Sequence, residues 1–148
     1  MDEEGRRITD AWLIDHDGVT QKGDFILNSN GSYSTSKGDE DVIETIDGSN
    51  RLITRSFQNW HTHLAMTLNR GMGEGLPLME WLEKSIFPVE KNLTPELIEI
   101  GTRAAAAEMI ATGTTFACDM YFHTETIGNT LAESGVRAIL CGPVTDGL

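Results

Sequence analysis

Between Arg51 and Cys141 strand-like and helix-like segments alternate, and this constrains the fold more than any other feature. Leu52, Ile53 and Phe57 lead into His61-Thr62-His63-Leu64, read as a strand through His63. Leu78, Met79, Trp81, Leu82 and Ile86 then recur at helical spacing, with Pro88 predicted to end that helix. Thr94-Pro95 is an N-cap followed by proline at the first helical position, and the helix it opens is predicted to run to about Thr112. Gly113 stops it. Thr114–Cys118 is a second apolar strand, Thr124–Ser134 a second helix stopped by Gly135, and Val136–Cys141 a third strand. Pro143 and Gly147 mark loop. Strands apolar on both faces, joined by helices, predict a buried parallel sheet built from right-handed βαβ units. The fold class is α/β.

The first 50 or so residues have another character. Ile8–Ile14, Gly23–Leu27 and Val42–Ile46 are short apolar runs, separated by Asp15-His16-Asp17-Gly18 and Asn28-Ser29-Asn30-Gly31 and closed by Asp47-Gly48. Strands at this spacing, punctuated by turn residues, predict a small antiparallel sheet. Two domains follow, 1–55 and 56–148.

Charge limits the partners. There are 23 acidic residues against 11 basic ones, a net charge of -12. Such a surface argues against nucleic acid and anionic membranes and is compatible with a small-molecule substrate. It suits a halophilic cytoplasm, where salt screens acidic self-repulsion. Met1-Asp2-Glu3-Glu4 is no secretory signal, and no apolar window is long enough to span a bilayer. Cys118 and Cys141, both in apolar runs, read as buried reduced thiols of a cytoplasmic protein.

The chemistry is concentrated at His61 and His63. Residues i and i+2 of a strand point to the same side, so two imidazoles can converge on one ion. A bare His-x-His is common by chance, and the spacing alone is a weak signal.

The surrounding residues carry more. His61-Thr62-His63-Leu64-Ala65-Met66-Thr67-Leu68-Asn69-Arg70-Gly71 resembles the opening of the amidohydrolase superfamily, in the branch of methylthioadenosine/S-adenosylhomocysteine deaminases and triazine hydrolases. The resemblance continues through Leu76–Leu82, Ile86–Glu90, Leu93–Glu96, Gly113-Thr114-Thr115 and Asp119-Met120-Tyr121-Phe122. It implies a (β/α)8 TIM barrel, of which this chain holds about three strands, preceded by part of a small N-terminal β-sandwich. It implies one divalent metal ion, usually zinc and sometimes iron, with His61 and His63 as two ligands. Two further histidines, an aspartate and the acid–base glutamate would come from later strands. The implied activity is hydrolytic deamination of an adenosine-type purine nucleoside. In the mechanism the resemblance implies, the metal would lower the pKa of a bound water, hydroxide would attack the ring carbon, and a carboxylic acid would protonate the leaving ammonia.

By the same resemblance Glu90 accepts hydrogen bonds from ribose hydroxyls and Trp81 lies near the substrate; Trp81 reads equally as core. His123 reads as a loop histidine that either lines the site or is solvated. Asp119, at the end of the second strand, is placed to orient a ligand histidine. The branch includes dimers, so a homo-oligomer is compatible.

The sequence departs from the family at Thr54-Arg55-Ser56, where Pro-Gly is usual, and at Gly142, where some deaminases carry an arginine. A whole barrel needs about 250 residues. The chain therefore reads as an N-terminal fragment, inactive alone, with exposed apolar strand faces and an unpaired edge. A triazine-like chlorohydrolase or other aminohydrolase, and a non-catalytic remnant, are the alternatives.

Overall fold

The computed structural model describes residues 5–144. The acidic start at Met1–Glu4 and the loop signal at Gly147 lie outside the described residues. The chain divides into two compact units, Met1–Arg55 and Ser56–Leu148.

In the first unit β1 (Arg6–Ile14), β2 (Thr20–Leu27), β3 (Tyr33–Thr35), β4 (Glu44–Asp47) and β5 (Leu52–Ile53) form one sheet. Its order is β3-β2-β1-β4, with β5 also paired to β1. The expected antiparallel pairing holds for β1–β2 and β2–β3. It fails for β4 and β5, which both run parallel to β1. The cause is connectivity: after β3 the chain crosses back to the far side of β1 before pairing again, so no hairpin reverses its direction. Ala11, Leu13 and Phe25 form the buried centre, flanked by Ile8 and Ile53. A bulge between Ile8 and Ala11 puts Asp10 at φ 53°, and its N–H donates to Asp24 Oδ1 at 2.8 Å. Glu40 ties the following loop to β1. It pairs with Arg7 at 3.1 Å and accepts from the Lys37 N–H at 2.5 Å.

The second unit is a parallel sheet, β6 (Phe57–Thr62), β7 (Thr114–Met120) and β8 (Arg137–Cys141), in the order β6-β7-β8. Helix α3 (Pro95–Ala111) connects β6 to β7, and α4 (Thr124–Ser134) connects β7 to β8. The termini follow local chemistry. Thr94 accepts from the Leu97 N–H as N-cap, and Gly113 and Gly135 take φ of 81° and 75° where the helices stop. Ile98, Ala105, Ala106 and Met109 of α3 pack with Ala117 of β7 and with Ile127 and Leu131 of α4. Fully burying an isoleucine such as Ile98 or Ile127 contributes roughly 1.5–3 kcal/mol.

Three further expectations need correction. Pro88 does not end the helix that begins at Leu78. Helix α1 (Leu78–Trp81) widens into a π segment, Leu82–Ile86, and continues as α2 (Phe87–Glu90) with Pro88 in its first turn. The wider turn restarts the hydrogen-bond ladder at Phe87, so the proline occupies an initiating position that tolerates its missing N–H. The strands are also not uniformly buried. β6 is a sheet edge, and Phe57 and Trp60 are 70% and 61% exposed. Cys118 and Cys141 are both free, but Cys141 is exposed because β8 is the opposite edge. Among the described residues no helix is long and apolar enough to cross a membrane.

Candidate metal centre

His61 and His63 stand at the C-terminal end of β6. His61 lies in the strand and His63 is the first residue beyond its end. Their ring centroids are 5.2 Å apart and their planes nearly perpendicular, at 89°. His61 is exposed and His63 half-buried. The chain then leaves the strand for a 3-10 helix, Leu64–Asn69, capped by His63.

The end of β7 holds this turn. His63 Nδ1 lies 2.7 Å from the Met120 carbonyl. A carbonyl only accepts, so Nδ1 carries the proton and Nε2 keeps its lone pair for a ligand. Asp119 is buried, 1% exposed. Its Oδ1 accepts from the Leu64 N–H at 2.7 Å and lies 2.8 Å from the Thr62 hydroxyl. That hydroxyl is also 3.0 Å from the Cys118 carbonyl. Asp119 Oδ2 is buried and has no hydrogen-bond partner among the described residues. Burial raises the Asp119 pKa, and the Leu64 N–H, the Thr62 hydroxyl and the His63 charge oppose that rise. Asp119, expected to orient a ligand histidine, makes no bond to an imidazole. Its bonds go to the residues on either side of His63, and the imidazole bonds to a backbone carbonyl instead.

Two clefts meet at His63. One, of about 330 Å3, is lined by His61, His63, Thr67, Arg70 and Glu108, among others. The second, of about 180 Å3, brings His63 together with Trp81, Glu90, Tyr121 and Phe122. Trp81 is half-buried, and its indole N–H donates to the Met72 carbonyl at 2.8 Å, which fixes the ring against this cleft. Glu90 lies in α2, a direct consequence of the helix passing through Pro88. Its carboxylate faces the phenol of Tyr121; burial first, then the Glu90 charge, pushes that phenol well above its ordinary range. Tyr121 and the Met120 carbonyl were not singled out in the sequence; both follow Asp119 directly, at the end of the strand. His123 is exposed at φ 56° as the N-cap of α4, and it does not line either cleft.

The donor set fits a divalent metal. Two imidazoles converge, and one has its Nδ1 proton set by a backbone acceptor. The set is also incomplete. Among the described residues three candidate ligands cluster only at Asp15, His16 and Asp17, in the exposed β1–β2 turn. There Asp15 Oδ1 already accepts the Asp17 and Val19 N–H groups.

The sequence profile of the amidohydrolase family matches residues 52–147. The chain belongs to this family. It is 46% identical over 117 residues to a 5-methylthioadenosine/S-adenosylhomocysteine deaminase of Syntrophomonas wolfei, covering 79% of this chain and 27% of that protein. Among solved structures it resembles an adenosine deaminase from Xanthomonas campestris with bound zinc, at a TM-score of 0.80 and 30% identity, covering 90% of this chain and 33% of that one. A triazine hydrolase from Arthrobacter aurescens shares the fold at a TM-score of 0.80 and 19% identity, covering 95% and 36%. The chain therefore spans about a third of the length of the relatives it matches.

Proposed function

We propose that the whole protein is a metal-dependent hydrolase that deaminates an adenosine-type purine nucleoside of the methylthioadenosine/S-adenosylhomocysteine kind. In this reading residues 56–148 are the opening part of a (β/α)8 barrel, and residues 1–55 belong to a small β-sandwich. The observation that carries it is the convergence of His63, Trp81 and Glu90 on one cleft, with His63 Nε2 left free by the Met120 bond. The deaminase relatives support the same chemistry.

His61 and His63 would hold one divalent metal, most simply zinc, the ion named for the adenosine deaminase. The metal supplies Lewis acidity that ionises water near neutrality. This chain's own residues bind and orient. Met120 keeps the proton of His63 on Nδ1. Glu90 offers a carboxylate to the vicinal ribose hydroxyls, a good match for a two-lone-pair acceptor. Trp81 and Phe122 present aromatic surface for a purine or its 5′ substituent.

The test is ammonia release from methylthioadenosine by the whole protein, compared with a His61→Ala/His63→Ala double variant. Release by the parent and none by the variant is the expected result. Undiminished release by the double variant would end the proposal.

A further inference from the structure

The strand that carries His61 stops at Thr62, and His63 is the single residue between it and a 3-10 helix that begins at Leu64. A helix start leaves backbone N–H groups without intrahelical partners. His63 makes no side-chain cap. The Leu64 N–H is met instead by Asp119 Oδ1, from the neighbouring strand 55 residues away in sequence. The same oxygen meets the Thr62 hydroxyl, and Thr62 and Asp119 are register partners in the β6–β7 pair. One buried carboxylate oxygen therefore grips the residue before His63 and the residue after it. The imidazole between them reaches the Met120 carbonyl, the residue next to Asp119.

We infer that Asp119 is a positioning residue for the metal site: by bonding Thr62 and Leu64 it sets the backbone turn that keeps His63 Nδ1 on Met120 and Nε2 free. Asp119 acts through the backbone and holds no ion itself. Without it, Leu64, which is 4% exposed, keeps a buried and unpaired N–H, and the turn relaxes toward whatever partner that N–H can find. His63 then loses its fixed distance to Met120. The inference rests on the reading of His61 and His63 as metal ligands, and the experiment separates the two.

The 15N-labelled chain, free of metal and at a pH above the ordinary imidazole range, reports the His63 tautomer by side-chain NMR. The parent is expected to show one tautomer with the proton on Nδ1. Asp119→Ala is expected to show a mixture, and zinc affinity measured by competition with a chelating dye is expected to fall about 10–100-fold. Asp119→Asn retains an oxygen for both donors and is expected to restore most of both signals. A merely structural role would lower the melting temperature in Asp119→Ala and leave tautomer and affinity unchanged below the transition; that result overturns the inference. Should Asp119→Ala not fold, Thr62→Val removes one tether alone, and an unaltered tautomer there overturns it equally. His63→Ala is the control on the parent reading. If it binds zinc as the parent does, the metal assignment fails, while the tautomer comparison still decides the role of Asp119.

Discussion

His63 and Met120 meet across two strands: Nδ1 of the imidazole donates to the carbonyl at 2.7 Å. That contact gives a common sequence pattern a direction, because a ring with its proton committed on one nitrogen has its lone pair committed on the other. The residues that frame it come from β7, more than 50 positions away in the chain.

The close packing behind this site gives the first prediction. Gly101, buried in α3, faces the Ala65 backbone, and a Cβ there would overlap the Ala65 carbonyl. Alanine would gain up to about 1 kcal/mol of helix propensity. The opposing clash is with main chain, which cannot rotate away, and overpacking of this kind costs about 1–3 kcal/mol. Gly101→Ala should therefore lower stability in urea unfolding. An increase would mean that α3 and the 3-10 segment are free to separate.

The first unit should show an acid-sensitive tie at Glu40. The Lys37 N–H, the Ser36 hydroxyl and Arg7 hold its pKa down to about 2, from an ordinary 4.5. A carboxylate depressed by folding adds stability above its unfolded pKa and loses it as the pH falls toward the folded value. The parent should therefore lose stability relative to Glu40→Gln between pH 4.5 and about 2. Parallel pH profiles of the two proteins, measured by thermal melting, would contradict this.

Glu90 gives a prediction on specificity. A hydrogen bond to a charged acceptor is worth about 1.5–3 kcal/mol, so Glu90→Gln should raise the KM of the whole protein for a ribonucleoside roughly ten- to hundredfold. An analogue lacking both ribose hydroxyls should show no such difference between the two proteins. Equal sensitivity of both substrates would remove Glu90 from ribose recognition.

Much of the second unit was legible because its signals are local. Thr94-Pro95, Gly113 and Gly135 mark helix ends through capping and left-handed backbone, which depend on neighbours a few residues away. The misread elements depend on distant or unusual geometry. Pro88 reads as a stop unless a π turn precedes it, and nothing in Leu82–Ile86 announces one. The turn residues near Gly31 and Gly48 mark where strands end and are silent about direction, so the parallel pairing of β4 with β1 was missed. At the site, the i, i+2 spacing of His61 and His63 was readable. The Asp119 bonds to Thr62 and Leu64, and the Tyr121 phenol beside Glu90, exist only once β7 lies beside β6.

The most direct measurement is zinc affinity of the parent chain against the His61→Ala/His63→Ala variant, with both confirmed folded by circular dichroism. The account predicts that the parent binds zinc and that the double variant loses that binding. Equal affinity in the two would contradict it and leave the histidines without a role in holding a metal.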